Sequence, residues 1–339
     1  MARGSESCIG HQLYERDVMA IPKKFYFIFL SLCSIYGIIV AYTSTVISLT
    51  SFSNSVSDKT FADKPISDKV TSEADSKKEM TYRHLTIDNS AQKKYWWSND
   101  TRCSKYSVNF GSNIDAAWLL SYPRSGNTWT RYLIESASGF FTGSIYQSKR
   151  AKEAGYLGED DPISRNRTIV IKTHKVKFIK GSNKRTLLIM RNPARSIISY
   201  WNFVDSGNSN WFSSVSNSSY TTKEFHEFVA NELERWRSTY IYPLENTKRL
   251  YVIFYELLRE NPLREIRGIL RFLELRPDED RLLCLSRHLE GVAKGGQREV
   301  QPYTLEEKKA FTRTIEEINV LLSSRGFPSM PDFQKYGFL

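Results

Sequence analysis

The chain has 339 residues, of which 40% are hydrophobic and 13% aromatic, enough for one domain of roughly 200–250 residues with a large core and extra segments besides. Its formal net charge of +11 suits an acidic partner, whether nucleotide, anionic glycan, membrane surface or nucleic acid, and selects none of them. The four cysteines, Cys8, Cys33, Cys103 and Cys284, form no C-x-x-C pair and no Cys/His cluster, which argues against a zinc site, and no metal is expected.

In chain order, residues 1–24 read as a cytosolic tail ending in Lys23 and Lys24. Residues 25–57 carry no charge, and their apolar part, 25–49, is long enough to cross a hydrocarbon core of about 30 Å as a helix. With the lysines on its N-terminal side, it predicts a single-pass type II signal anchor with the bulk of the chain lumenal. A cleaved signal peptide is the competing reading; its apolar core would run about 7–15 residues after a short basic start, and this one is longer and begins later. Residues 50–92 are rich in Ser, Thr, Asp and Lys and predict a flexible stem, because they cannot bury enough apolar surface to offset ordering. Residues 93–339 are then the lumenal domain. In it Asn99, Asn166 and Asn217 each open an Asn-x-Ser/Thr sequon, the pattern of a glycan acceptor. Cys103 and Cys284, the two cysteines on the oxidising side, permit one disulfide.

Within that domain strand-like and helix-like segments alternate. Short apolar runs at 116–122, 168–172, 186–190 and 250–254 predict buried strands. Residues 127–138 space Trp129, Leu133 and Ile134 for one helical face, 193–203 opens with a proline suited to a first helical turn, and 262–273 is amphipathic. The alternation implies an α/β fold with a parallel sheet covered by helices. Ligands of such sheets sit at the carboxyl ends of the strands.

The chemistry-bearing residues fall at those ends. In Ser121-Tyr122-Pro123-Arg124-Ser125-Gly126-Asn127-Thr128-Trp129 a strand ends, proline turns the chain, and Ser-Gly permits a tight passage into a helix. The first N–H groups of that helix lack internal partners and form an anion site, to which Arg124 adds a bidentate fork. An ordinary strand-to-helix turn is the plainer alternative. G-x-x-x-x-G-K-[ST] is absent, so there is no Walker loop with its magnesium-holding hydroxyl. In Arg191-Asn192-Pro193-Ala194-Arg195-Ser196-Ile197-Ile198-Ser199, a strand-end Arg191 and the helix-borne Ser199 are placed to bind one phosphate. Lys172-Thr173-His174 again follows a strand; His174 has the chemistry of a general base and Lys172 that of a charge stabiliser, with Glu159, Asp160 and Asp161 as rival bases.

Tyr-Pro-Arg-Ser-Gly-Asn-Thr-Trp resembles the 5′-phosphosulfate loop of sulfotransferases that use 3′-phosphoadenosine-5′-phosphosulfate. The resemblance covers about residues 115–300 and implies their P-loop-like three-layer α/β/α fold. It implies that Arg124 and the N–H groups of Ser125, Gly126, Asn127 and Thr128 hold the 5′-phosphate. Trp129 and Tyr255 would contact adenine, Arg191 and Ser199 the 3′-phosphate, and Lys294 would belong to a late basic loop closing over that phosphate. Arg124, Lys172 and His174 would carry catalysis. The family commonly has Lys where Arg124 stands, Thr at Asn127 and Asp at Arg195. Arg131-Tyr132-Leu133-Ile134-Glu135 and Thr142-Gly143-Ser144 look closest to the WSC-domain-containing (WSCD) sulfotransferase-like Golgi proteins. With two extracytosolic cysteines and a short stem, no WSC domain is expected. The implied activity is sulfuryl transfer to a hydroxyl of a glycan on a glycoprotein or glycolipid, including a sialylated one, in the Golgi membrane. A nucleotide kinase or NTPase, and a catalytically inactive sulfotransferase fold that binds anionic glycans, are the alternatives. Nucleic acid is disfavoured by the anchor and by the lack of a recognition motif.

Overall fold

The computed structural model describes residues 81–207, 214–292 and 300–333. The expected tail, the membrane span at 25–49, the stem up to residue 80 and Lys294 lie outside the described residues. Among those described, no helix is long and apolar enough to cross a membrane.

Two strands, β1 (Thr86–Ile87) and β2 (Gly111–Ser112), pair antiparallel. The main sheet holds β3 (Ala117–Ser121), β4 (Gly143–Ser144), β5 (Val170–Thr173), β6 (Thr186–Met190) and β7 (Leu250–Phe254). Its order is β4-β5-β3-β6-β7, and all its pairings are parallel. A parallel sheet needs cover on both faces, and β3 and β6 are buried at every residue. Side-chain alternation divides the core in two. Trp118 and Leu120 of β3 face one cluster with Leu188 and Met190, while Ala117 and Leu119 face the other with Leu187, Ile189 and Ile253.

The helices are α1 (Asn127–Ser138), α2 (Lys149–Glu153), α3 (Pro193–Asp205), α4 (Lys223–Asn246), α5 (Tyr255–Glu260), α6 (Pro262–Phe272), α7 (Glu279–Arg287) and α8 (Leu305–Ser324). Those of α3, α4 and α8 supply Ile197, Trp236 and Phe311 to the first cluster, and α1, α6 and α7 supply Leu133, Ile269 and Leu285 to the second. The result is three layers, α/β/α. Starts are set by local chemistry: Asn192, Thr222, Asn261 and Asp278 cap α3, α4, α6 and α7 with side-chain acceptors, and Thr304 with Glu307 makes a capping box on α8.

Three differences from the sequence reading have physical causes. The folded domain begins before residue 93: Thr86–Ile87 pairs with β2, the Arg83 N–H donates to the Glu274 carbonyl at 2.8 Å, and Leu85 packs on the second cluster. The short stretch 82–92 lacked a long apolar run, yet its backbone is bonded into the domain. Helix α1 is buried on nearly every side instead of one. Its polar residues are matched: Arg131 pairs with Glu159 at 2.5 Å and donates from Nε to the Thr142 hydroxyl at 2.7 Å, and Glu135 accepts from the Thr142 N–H at 2.9 Å. Helices α4 and α8 did not stand out in the sequence, because their apolar residues are interleaved with charges that point to solvent.

Cys103 and Cys284 are joined as a disulfide, which ties α7 to the segment ahead of β2. Asp100, Cys103 and His288 bring ligand-type atoms within 4.8 Å of one another, but the Cys103 sulfur is committed to the disulfide and His288 Nε2 sits 3.0 Å from Asp100.

Candidate active site

Register brings the site together. Leu120 of β3 lies beside Thr173 of β5 and Leu188 of β6, so the three carboxyl ends stop at one level. The loop 123–126, Lys172 with His174, and Arg191 therefore converge from segments far apart in sequence. Tyr255 joins them by starting α5 directly after β7.

The loop is shaped by backbone geometry that few residues accept. Arg124 has φ +63° and Gly126 φ +88°. A Cβ at Gly126 would stand 2.4 Å from the Tyr255 ring, so glycine is required both for the left-handed turn and for the close approach. Gly126 is the N-cap of α1 and no side chain caps that end, which leaves the first-turn N–H groups facing the concavity of the loop.

Three cations border that concavity. Arg191 donates from Nη1 to the Arg124 carbonyl at 2.7 Å and lays its guanidinium over the Tyr255 ring at 4.6 Å. Arg124 donates from Nε to the Ser199 hydroxyl at 3.2 Å and sits over Phe203. Burial, together with Arg191 and Arg150, lowers Arg124 to about 10. Half-buried Lys172 is lowered to about 8, first by burial and then by Arg131, with Glu159 opposing and Arg124 adding to the shift. Arg191 beside Arg124, and Arg124 near Lys172, crowd positive charge that an anion would offset. Among the described residues, Arg191 Nε is buried without a hydrogen-bond partner, an orphan donor that a phosphate oxygen would satisfy.

His174 stands on the rim. Its ring Nδ1 is 2.8 Å from the Ser121 carbonyl oxygen and 3.3 Å from the Ser121 hydroxyl, and its backbone N–H donates to the Tyr146 hydroxyl at 2.8 Å. Burial first, then Lys172, drives it down to about 3, with the Ser121 carbonyl opposing. It is therefore held neutral at physiological pH, the form a general base starts from, while the same depression makes it a weaker base than a free imidazole until an anion beside Lys172 offsets that charge. The rival carboxylates are occupied: Glu159 by Arg131 and by the Ser148 N–H at 3.1 Å, Asp160 by Lys152, and Asp161 by Arg167.

Trp129 is 2% exposed; its indole N–H donates to the Leu289 carbonyl at 2.7 Å and its ring meets Tyr255 edge-on at 6.1 Å. It thus supports Tyr255 from beneath the loop in this conformation. The Tyr156 hydroxyl donates to the Thr128 carbonyl at 2.9 Å and fixes the first turn of α1. Buried Ser125 lies within the loop. Asn99, Asn166 and Asn217 are all exposed.

Sequence reasoning missed the residues that hold the loops. Glu256 accepts the Asn192 N–H at 3.0 Å, the Trp236 indole N–H donates to the Arg191 carbonyl at 3.1 Å, and the Tyr240 hydroxyl donates to the Ile189 carbonyl at 3.0 Å. Tyr240 also lies 3.3 Å from the Tyr122 N–H, and the Tyr122 hydroxyl donates to Glu232 at 2.6 Å. The spacing of Glu232, Trp236 and Tyr240 along one face of α4 was the available signal.

Comparison with known proteins places this geometry. The sulfotransferase domain family matches residues 115–313. The chain is 32% identical over 195 residues to the WSCD family member GA21586 of Drosophila pseudoobscura pseudoobscura, covering 55% of this chain and 60% of that protein. It is 31% identical over 194 residues to the WSCD family member CG9164 of Drosophila melanogaster, covering 55% of this chain and 59% of that protein. The match thus spans less than two thirds of the length of these relatives. Among solved structures, mouse sulfotransferase SULT7A1 complexed with PAP aligns with a TM-score of 0.42 at 17% identity, covering 60% of this chain and 83% of that one.

Proposed function

The chain belongs to the sulfotransferase domain family, and from that premise we propose that it moves a sulfuryl group from 3′-phosphoadenosine-5′-phosphosulfate to a glycan hydroxyl. The observation that carries the reading is the gathering of Arg124, Lys172 and Arg191, with its orphaned Nε, about the uncapped start of α1, with His174 next to Lys172. The residues fit such a donor. Arg124 and the uncapped first turn of α1 would hold its 5′ end, Arg191 and Ser199 its 3′-phosphate, and Tyr255 its base. The bound donor supplies the sulfuryl group. His174 takes the proton from the acceptor hydroxyl, while Lys172 and Arg124 offset charge on the sulfuryl and bridging oxygens. Most of the rate gain comes from positioning and fixed charge.

The acceptor class rests on charge. Arg150, close enough to depress Arg124, and Arg235, close enough to depress His174, add to the cations of the site. They suit an anionic glycan on a glycoprotein or glycolipid, including a sialylated one. A single-pass type II Golgi membrane protein with glycans at Asn99, Asn166 and Asn217 completes the proposal; the basic residues before an apolar stretch support the orientation.

The test uses the full chain. Binding of the donor product 3′,5′-adenosine bisphosphate is measured by calorimetry, and transfer of labelled sulfate is followed on a panel of glycans. Arg191→Ala should weaken product binding roughly 10- to 100-fold, because one charge-assisted contact is lost. His174→Ala should leave binding intact and lower turnover about 100-fold or more. No binding would end the reading; binding without transfer would leave an anion-binding protein.

A further inference from the structure

Ser121, the last residue of β3, is fully buried, and so, at 4% exposure, is Asn127, the first residue of α1. The Asn127 side-chain amide donates from Nδ2 to the Ser121 hydroxyl oxygen at 3.1 Å. That hydroxyl is 3.3 Å from His174 Nδ1, and the Ser121 carbonyl oxygen is 2.8 Å from the same nitrogen. A carbonyl oxygen can only accept. Nδ1 therefore carries the ring proton whichever way the Asn127 amide is turned, and the lone pair resides on Nε2, on the far edge of the ring. The Tyr146 hydroxyl grips the His174 backbone N–H and not the ring, so among the described residues Ser121 supplies the polar contacts that orient the imidazole.

We propose that Asn127 and Ser121 form a positioning relay from the donor loop to the base, which sets the tautomer and orientation of His174. Asn127 belongs to the first turn that would hold the donor, so the residue that shapes the anion site also braces the group that receives the acceptor proton. Loss of the Ser121 hydroxyl removes the brace, so the ring can swing off the Ser121 carbonyl and lose the tautomer that this contact imposes. Loss of the Asn127 amide frees the Ser121 hydroxyl to rotate. Neither change removes Arg191 or the backbone N–H groups, so donor affinity and turnover should separate.

The inference rests on the proposed function for its catalytic meaning, but its structural half can be read without any reaction. The full chain is labelled with 15N-histidine, and the His174 signals are identified by their loss in His174→Ala. The wild type should show the shifts of an Nδ1-protonated ring. Ser121→Ala and Asn127→Ala should move those shifts toward a mixture with the Nε2-protonated form, and Ser121→Thr should restore them. In parallel, turnover should fall roughly 10- to 100-fold in both alanine variants, with binding of 3′,5′-adenosine bisphosphate unchanged in Ser121→Ala and weakened by less than turnover falls in Asn127→Ala. An Nε2-protonated ring in the wild type, a requirement of no variant's folding, overturns the relay. So do unmoved shifts in both alanine variants, or a loss of product binding as large as the loss of turnover. Correct shifts with no sulfate transfer to any acceptor would sink the enzyme reading and leave the relay standing.

Discussion

At the scale of single residues, the site is governed by what each position forbids. Gly126 combines a left-handed φ of +88° with a Tyr255 ring 2.4 Å from where a Cβ would lie. Gly126→Ala should therefore lower stability by about 1–3 kcal/mol and weaken nucleotide binding more than tenfold, because Tyr255 and the first turn of α1 must both shift. Urea unfolding and calorimetry check this; an alanine variant that binds normally would show the turn to be incidental. His174 carries a second prediction. Its pKa in the folded state is lowered to about 3 from 6.5, by burial and by Lys172. Below pH 6.5 the unfolded chain takes up a proton that the folded chain refuses, so stability is complete above that pH and is lost as pH falls toward 3. His174→Gln should flatten that part of the pH–stability curve measured by denaturant unfolding. A curve identical to the wild type between pH 6.5 and 4 would contradict the depressed value.

At the scale of elements, the strands that carry the site were the most legible part of the chain. Apolar runs such as Ala117–Ser121 and Thr186–Met190 have few other homes than a buried parallel sheet. Legibility fell where tertiary contacts decide. The two-residue β4 has no periodicity to detect, and α4 hides Trp236 and Tyr240 among charged residues although both hydrogen-bond the ends of the sheet. The side chains that position other parts of the site, Ser121 at the His174 ring and Glu256 at the Asn192 backbone among them, were invisible, since a buried hydrogen bond depends on register and not on residue type. The disulfide is the clearest element-scale constraint. Cys284 lies on α7, whose end supplies the His288 carbonyl to the Tyr132 hydroxyl at 2.5 Å and is followed by the Leu289 carbonyl that holds Trp129. The bond joins residues separated by 181 positions, and loops of that size favour the folded state by up to about 5 kcal/mol through the unfolded chain. Cys103→Ser with Cys284→Ser should cost about 2–5 kcal/mol in urea unfolding. Nucleotide binding should also weaken, because Trp129 loses its fixed shelf beneath Tyr255. Destabilisation without any change in binding would confine the disulfide to stability.

At the scale of the whole molecule, the sheet separates two cores and gathers the site's cations at one end. Arg124, Lys172 and Arg191 are brought there by three different strands, while Arg150 and Arg235 come from α2 and α4. The chain's net charge of +11 adds a field of the same sign, which would draw anions toward the concavity before contact. These two contributions respond differently to salt. On the proposed function, half-buried Arg124 and Arg191 would hold the nucleotide through short contacts that mobile ions screen poorly, whereas a charged glycan approaching Arg150 and Arg235 would do so through solvent, where the Debye length is about 10 Å at 0.1 M. Raising sodium chloride from about 50 to about 500 mM, which shortens that length roughly threefold, should therefore change nucleotide affinity only modestly. The KM for a sialylated acceptor should rise on the order of tenfold under the same change, and its desialylated counterpart should be nearly indifferent to salt. Parallel salt curves for the two acceptors would mean that the basic rim does not read acceptor charge, and the anionic-glycan assignment would fall with it while the donor site remained.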